Sequence, residues 1–224
     1  MENWPRFLDT FFKPELIARY LPDILGGMVV TAEIAVLVVV AGVAFGLALA
    51  LIRSLRVRLV NLLIILFADV ARALPPLVLV LIVYFGLPNV GVVLPSYVVL
   101  WLVLSLLLAA FAEEIFWAGI LSVRKGQWDA ARSTGLRAWQ ALAYVVLPQA
   151  VRNVLPDLVS NTVEVVKLTS IASVVALPEL LYSADMARSV TFNSSPIVLA
   201  AAIYLVMLWP IVRLVSRLER RIAA

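Results

Sequence analysis

Trp128-Asp129-Ala130-Ala131-Arg132-Ser133-Thr134-Gly135-Leu136, running on to Leu147-Pro148-Gln149, is a polar, positively charged stretch inside an otherwise intensely apolar chain. What flanks it decides the fold class. Hydrophobic residues make up 64% of the 224 residues and charged ones only 14%; mean hydropathy is +1.06, far above that of soluble domains. Several apolar runs exceed the roughly 20 residues a helix needs to cross a bilayer, so the chain reads as an all-α, multi-pass membrane protein with room for about five or six spans.

Composition also excludes chemistries. Cysteine and histidine are both absent, which removes disulfides, thiol nucleophiles, ordinary zinc sites and histidine acid–base catalysis. The net charge of +4 does not point to nucleic acid, because the basic residues gather at the ends of apolar runs. The N-terminus carries Glu2, Arg6, Asp9, Lys13, Glu15 and Arg19 within its first 19 residues rather than a basic patch before a short apolar core, so no cleavable signal peptide is expected. No phosphate-binding G-x-x-x-x-G-K-[ST] segment is present, so the chain holds no ATPase site of that kind.

Working outward from the polar stretch, spans are predicted over about 24–52, 59–87, 96–120, 149–168 (with 169–176 as a continuation) and 197–212. The charge-free run from Ala73 to Ala112 is too long for one pass, and Pro88, Asn89, Gly91, Pro95 and Ser96 supply its turn. Pro75-Pro76 should bend the second span, as a gating hinge or a fixed wall. Arg53, Arg56 and Arg58, then Arg124, Lys125, Arg132 and Arg137, then Arg213, Arg217, Arg220 and Arg221 mark three inside-facing segments. Five passes with the C-terminus inside put the N-terminal segment, about 1–23, outside. One domain covering 1–224 is expected.

Two constellations stand out. In the loop at about 121–148, Trp128, Ala130, Ala131 and Leu136 offer apolar contact, Gly135 can end a short helix in a left-handed cap, and Leu147-Pro148 can restart one. Spacing alone leaves two readings: a segment that docks a partner, or an amphipathic helix in the headgroups anchored by Trp128 and Trp139. In the fourth span, Asn153, Asp157, Ser160, Glu164 and Lys167 fall within an arc of about 80°, with Asn161 beside it. Lipid cannot satisfy such a stripe, so it lines a watery cavity or, through a Glu164–Lys167 pair, ties helices together. Asp69 and Arg72, three apart, suit a mutual pair. Glu113 and Glu114 point about 100° apart, so at most one shares the cavity. Glu33, a lone carboxylate in the first span, faces substrate or bonds a neighbouring helix.

Three segments together resemble the polar amino-acid subfamily of ABC importer permeases. Arg72-Ala73-Leu74-Pro75 through Tyr84-Phe85-Gly86-Leu87-Pro88 is similar to R-G-T-P … Y-F-G-L-P. Glu114-Ile115-Phe116 through Gly119-Ile120 leads into Val123, Lys125-Gly126-Gln127-Trp128 and the polar stretch. Lys167-Leu168-Thr169-Ser170 precedes Leu177-Pro178-Glu179-Leu180. The likeness runs over about 24–221 in order. The departures are Asp129 for Glu, Trp117 for Arg, Ala118 for Gly, Leu168 for Asp, and Ala73-Leu74 for Gly-Thr.

The resemblance implies a type I ABC importer permease fold with five transmembrane helices in a bacterial inner membrane. Trp128, Asp129, Ala130, Ala131, Gly135 and Leu136 would form the coupling helix on an ABC ATPase dimer, which carries ATP and Mg; this chain binds no cofactor. The implied partners are a second permease subunit, identical or homologous, and an external solute-binding protein. The implied cargo is a small polar amino acid or a derivative such as an opine. Glu33, Asp69, Arg72, Glu114, Asp157, Ser160, Asn161, Glu164 and Lys167 are the candidate pathway residues. An ATP-independent transporter or channel, or a membrane scaffold, is the competing class: the first would not need the coupling loop, and the second would tolerate loss of the fourth-span stripe.

Overall fold

In the computed structural model, residues 3–222 are described; Glu2 lies outside them, and Arg220 and Arg221 lie outside the residues whose side chains are described. The helices are α1 (Asn3–Phe11), α2 (Pro14–Arg53), α3 (Arg58–Ala73), α4 (Pro76–Gly86), α5 (Ser96–Ser122), α6 (Lys125–Ser133), α7 (Ala138–Ala141), α8 (Leu147–Lys167), α9 (Leu180–Thr191) and α10 (Ser195–Ile222). No strand occurs among the described residues. Four helical segments are long and apolar enough to cross a membrane, and a fifth arises if α3 and α4 are counted as one broken span.

Three boundaries differ from the sequence-based expectation. The helix of the first predicted span, α2, starts ten residues early, at Pro14, where proline's missing N–H is harmless. The second span does not merely bend. α3 stops at Ala73, Leu74 is extended (φ −90°, ψ 137°) and α4 restarts at Pro76, because a residue before proline is pushed out of the helical region. The polar loop is shorter than expected, since helix resumes at Ala138 rather than at Leu147. A π-turn over Leu142–Val146 separates α7 from α8, with Leu147 N–H reaching Leu142 O. This wide turn lies just upstream of Pro148, whose missing N–H breaks the regular hydrogen-bond ladder.

Backbone contacts divide the chain into two compact units. The first comprises residues 1–38, 76–104 and 166–211. Its core packs Ile24, Leu180, Ala184 and Ala200 with Tyr20, Met28, Ile197, Ile203 and Tyr204. Gly27 allows α2 to lie against the start of α9: a Cβ there would sit 2.7 Å from both Glu179 O and Ser183 Oγ. Glu179, fully buried, caps α9 by accepting from Tyr182 N–H at 2.7 Å, and also accepts from Tyr204 Oη at 2.9 Å. Thr31 Oγ1 lies 3.4 Å from the same carboxylate and accepts from Leu180 N–H. Burial pushes the Glu179 carboxyl above the usual carboxylate range, against the backbone, Tyr204 and Thr31 hydrogen bonds that lower it.

The second unit comprises residues 39–75, 105–165 and 212–224. Here Gly42 and Gly46, a G-x-x-x-G pair on α2, bring backbone close to α5. A Cβ at Gly46 would fall 2.6 Å from Ala112 Cβ and 2.8 Å from Ala109 O. Ala50, Ala112, Phe116, Val154 and Leu158 form the core, and Gly119 lets α8 approach through Val154 and Ala150.

Candidate functional site

The second unit holds two candidate surfaces. The first is a groove of about 280 Å³ lined by Phe111, Glu114, Ile115, Ala118, Val154, Asp157 and Asn161. α5 and α8 present these residues beside the core of Ala112, Phe116, Val154 and Leu158, with Val154 and Ile115 shared between core and groove. Arg72 lies 2.8 Å from Asp69 and also pairs with Glu114. The predicted Asp69–Arg72 pair is therefore a triad, and it fixes Glu114 at the groove. Asp157 is exposed, and its carboxylate has no hydrogen bond or ion pair among the described residues. Asn161 donates to Asp157 O at 3.1 Å. The groove thus offers one free carboxylate, one partly neutralised carboxylate and an amide, set in an apolar wall.

The other predicted pathway residues are placed differently. Ser160 is half-buried on α8, while Glu164 and Lys167 are exposed on it; none of the three lines the groove. Glu33 is exposed on α2 and belongs to the first unit. The bond to a neighbouring helix that the sequence allows for it is absent among the described residues.

The second surface is α6. Gly135 ends it at φ +90°, with its N–H on Arg132 O at 3.1 Å, the left-handed geometry expected from the sequence. The apolar contact face expected of Trp128, Ala130, Ala131 and Leu136 is not presented whole. Ala131 is buried, and Trp128 packs on Ile120, Val123, Val146 and Ala150. Those two residues seat the helix on its own fold. Asp129, Ala130, Arg132 and Ser133 form the open side, and Leu136 is half-buried.

One cluster was missed in the sequence. Fully buried Glu113 accepts from Arg53 Nη1 at 2.9 and 3.2 Å. The Arg53 guanidinium lies 4.7 Å from the Trp117 ring centre. Arg53 reads as a topology marker when taken alone. The available signal was the spacing of Glu113 and Trp117, four apart on one helical face. Trp117 covers an arginine supplied by α2.

Long apolar helices, an open acidic groove between two of them and a short polar helix seated at the end of the bundle define the class: a membrane-embedded permease subunit. Residues 42–224 match the model of the binding-protein-dependent transport system inner membrane component, and the chain belongs to that family. It is 33% identical over 207 residues to a probable glutamine ABC transporter permease of Bacillus subtilis (strain 168), covering 91% of this chain and 95% of the relative. It is 30% identical to that organism's arginine transport system permease, with 90% and 93% covered. A solved amino acid ABC transporter with histidines shares 34% identity at a TM-score of 0.83, covering 92% and 96% of the two chains. The methionine transporter MetNI, at 17% identity and TM-score 0.66, shares the fold. The chain is a transport subunit, and ATP hydrolysis belongs to a partner in such systems.

Proposed function

We propose that the chain, acting as one permease domain, forms half of the pathway of an ATP-driven importer for polar amino acids. A second permease, identical or related, supplies the other half. An external binding protein delivers the substrate, and an ABC ATPase dimer carrying ATP and Mg docks on the open side of α6. The N-terminus lies outside and the C-terminus in the cytoplasm of the bacterial cell. Nucleotide binding favours one membrane arrangement over another through differential contacts at α6.

The observation that carries the substrate reading is the groove. Asp157, whose carboxylate has no partner among the described residues, can receive an ammonium group. Asn161 adds an amide, and Glu114, partly neutralised by Arg72, limits the net negative charge. The relatives named for glutamine and arginine support a polar amino acid without choosing among them.

The test is uptake and ATP hydrolysis in vesicles rebuilt from the co-purified complex. Asp157→Asn should reduce amino-acid uptake at least tenfold, about 1.4 kcal/mol or more, the lower end for a charge-assisted hydrogen bond. Ala130→Arg should leave the permease folded but strip the ATPase from it. Unchanged uptake in the first variant would remove the groove from the pathway, and unchanged ATPase recovery in the second would remove α6 from the docking site.

A further inference from the structure

We propose that α1 is a membrane-surface helix. Its apolar face is buried at the boundary between lipid headgroups and acyl chains, at the end of the molecule where α10 begins. Projected down the helix axis, Trp4, Phe7, Leu8 and Phe11 occupy an arc of about 100°, while Arg6, Asp9 and Thr10 lie opposite. The apolar side is not folded against the protein: Trp4 is 64% exposed and Phe7 and Leu8 are each 42% exposed. The aromatic rings gather there, with Trp4 stacked on Phe7 at 5.5 Å and Phe7 at 4.9 Å from Phe11 and 6.1 Å from Phe12. Such a patch is unfavourable in water and needs a cover.

The structure also fixes where the patch sits. Asn193 Nδ2 donates to Asp9 O at 2.8 Å, Ser194 N–H to Thr10 O at 3.0 Å, and Lys13 N–H to Ser195 Oγ at 2.9 Å. Ser195 is the first residue of an apolar span that runs to Arg213. The three bonds therefore hold α1 level with the rim of a bilayer-crossing helix, and its exposed apolar face continues a surface already turned to lipid. Polarity continues in the same sense along the start of α2. There Glu15, Arg19 and Asp23, spaced by four, are all exposed, while Leu16, Ile17 and Tyr20 are half-buried. Aromatic residues at such a level, with charge on the outer face, fit the headgroup zone rather than a protein groove.

The chain contains no cysteine, so single probes can be placed without removing any native thiol. The complex carrying Leu8→Cys or Arg6→Cys, each bearing a nitroxide label, would be placed in nanodiscs of phosphatidylethanolamine and phosphatidylglycerol. Relaxation by oxygen, which concentrates in lipid, would be compared with relaxation by a water-soluble nickel chelate. The expected result is an oxygen-to-nickel ratio several-fold higher at residue 8 than at residue 6, repeated by Trp4→Cys. Equal, water-like ratios at both positions would overturn the proposal. So would a residue-8 label shielded from both reagents, which would mean that a second copy or a protein partner covers the face.

Discussion

Glu113 is the residue whose environment explains the most. An ionised carboxylate is costly to bury without a cation beside it, and for Glu113 Arg53 supplies one, with Trp117 over its guanidinium. Arg53→Met should lower stability by roughly 3–5 kcal/mol, read as a fall in melting temperature of the detergent-solubilised protein. Arg53→Lys keeps the charge but loses the planar stack, so its loss should be smaller, about 1–2 kcal/mol. Glu179 gives a pH signature. Its folded carboxyl holds a proton more readily than the unfolded chain's does. The folded state therefore binds more protons, and stability falls as pH rises from the ordinary carboxylate value through the raised one. That slope should vanish in Glu179→Gln, with melting temperature followed from pH 4 upward. None of these partners is adjacent in sequence: Arg53 and Glu113 lie 60 residues apart, and Thr31 and Glu179 lie 148 apart. Composition shows that such acids are expensive to bury, but not which distant group stabilises them.

α6 and the π-turn show what local sequence can and cannot announce. Gly135 declares its own geometry, because a left-handed residue at a helix end is most cheaply glycine. Gly135→Ala should cost about 1–2 kcal/mol locally, although a methyl group there would meet nothing within 4 Å. Hydrogen exchange confined to the α6 amides would reveal it, with the melting temperature of the spans unmoved. The division of α6 into an inner side (Trp128, Ala131) and an open side (Asp129, Ala130) was not legible. Both sides carry small or apolar residues, and the choice depends on Ile120, Val123 and Val146, which lie outside α6. Pro148 similarly reads as a start signal, yet it stands one residue inside a helix whose upstream turn has widened to five-residue hydrogen bonds. Pro148→Ala restores the missing N–H and should let this turn relax toward regular helix. The effect would appear as a new, protected amide at residue 148 and altered amide protection over Leu142–Val146.

Taken over its full length, the chain declared its architecture through apolar runs and basic clusters, because lipid forces every span to satisfy its own backbone. The apolar spans and the turn near Pro88 were readable on that basis, whereas Pro75-Pro76 announced a bend and not the full break at Leu74. The closeness of α2 to α5 was signalled too, by Gly42 and Gly46, but the partner helix was not. The proposed five-span topology puts the two chain ends on opposite sides, with one crossing between α6 and the loop before α10. Single cysteines introduced at exposed Phe192 and exposed Ser133 should react with a membrane-impermeant maleimide from opposite faces of oriented vesicles. Labelling of both from the same face would require an even number of crossings between them.

The interruption at Leu74 has a further consequence. At about 1.5 Å per residue, the 16 residues of α3 and the 11 of α4 reach roughly 24 and 16 Å. Neither alone crosses a hydrocarbon layer of about 30 Å. The last carbonyls of α3 therefore end at bilayer depth without helical donors. Among the described residues the Arg72 side chain reaches back to Ala68 O, at 3.1 Å, an oxygen one turn inside the helix, and so leaves the terminal carbonyls of residues 70–73 to other partners. Those oxygens need polar partners that lipid cannot supply, so the break has to face protein or water rather than acyl chains. A transporter built around such a break keeps a polar seam at bilayer depth, and each cycle must seal any water admitted there against leakage of protons and ions.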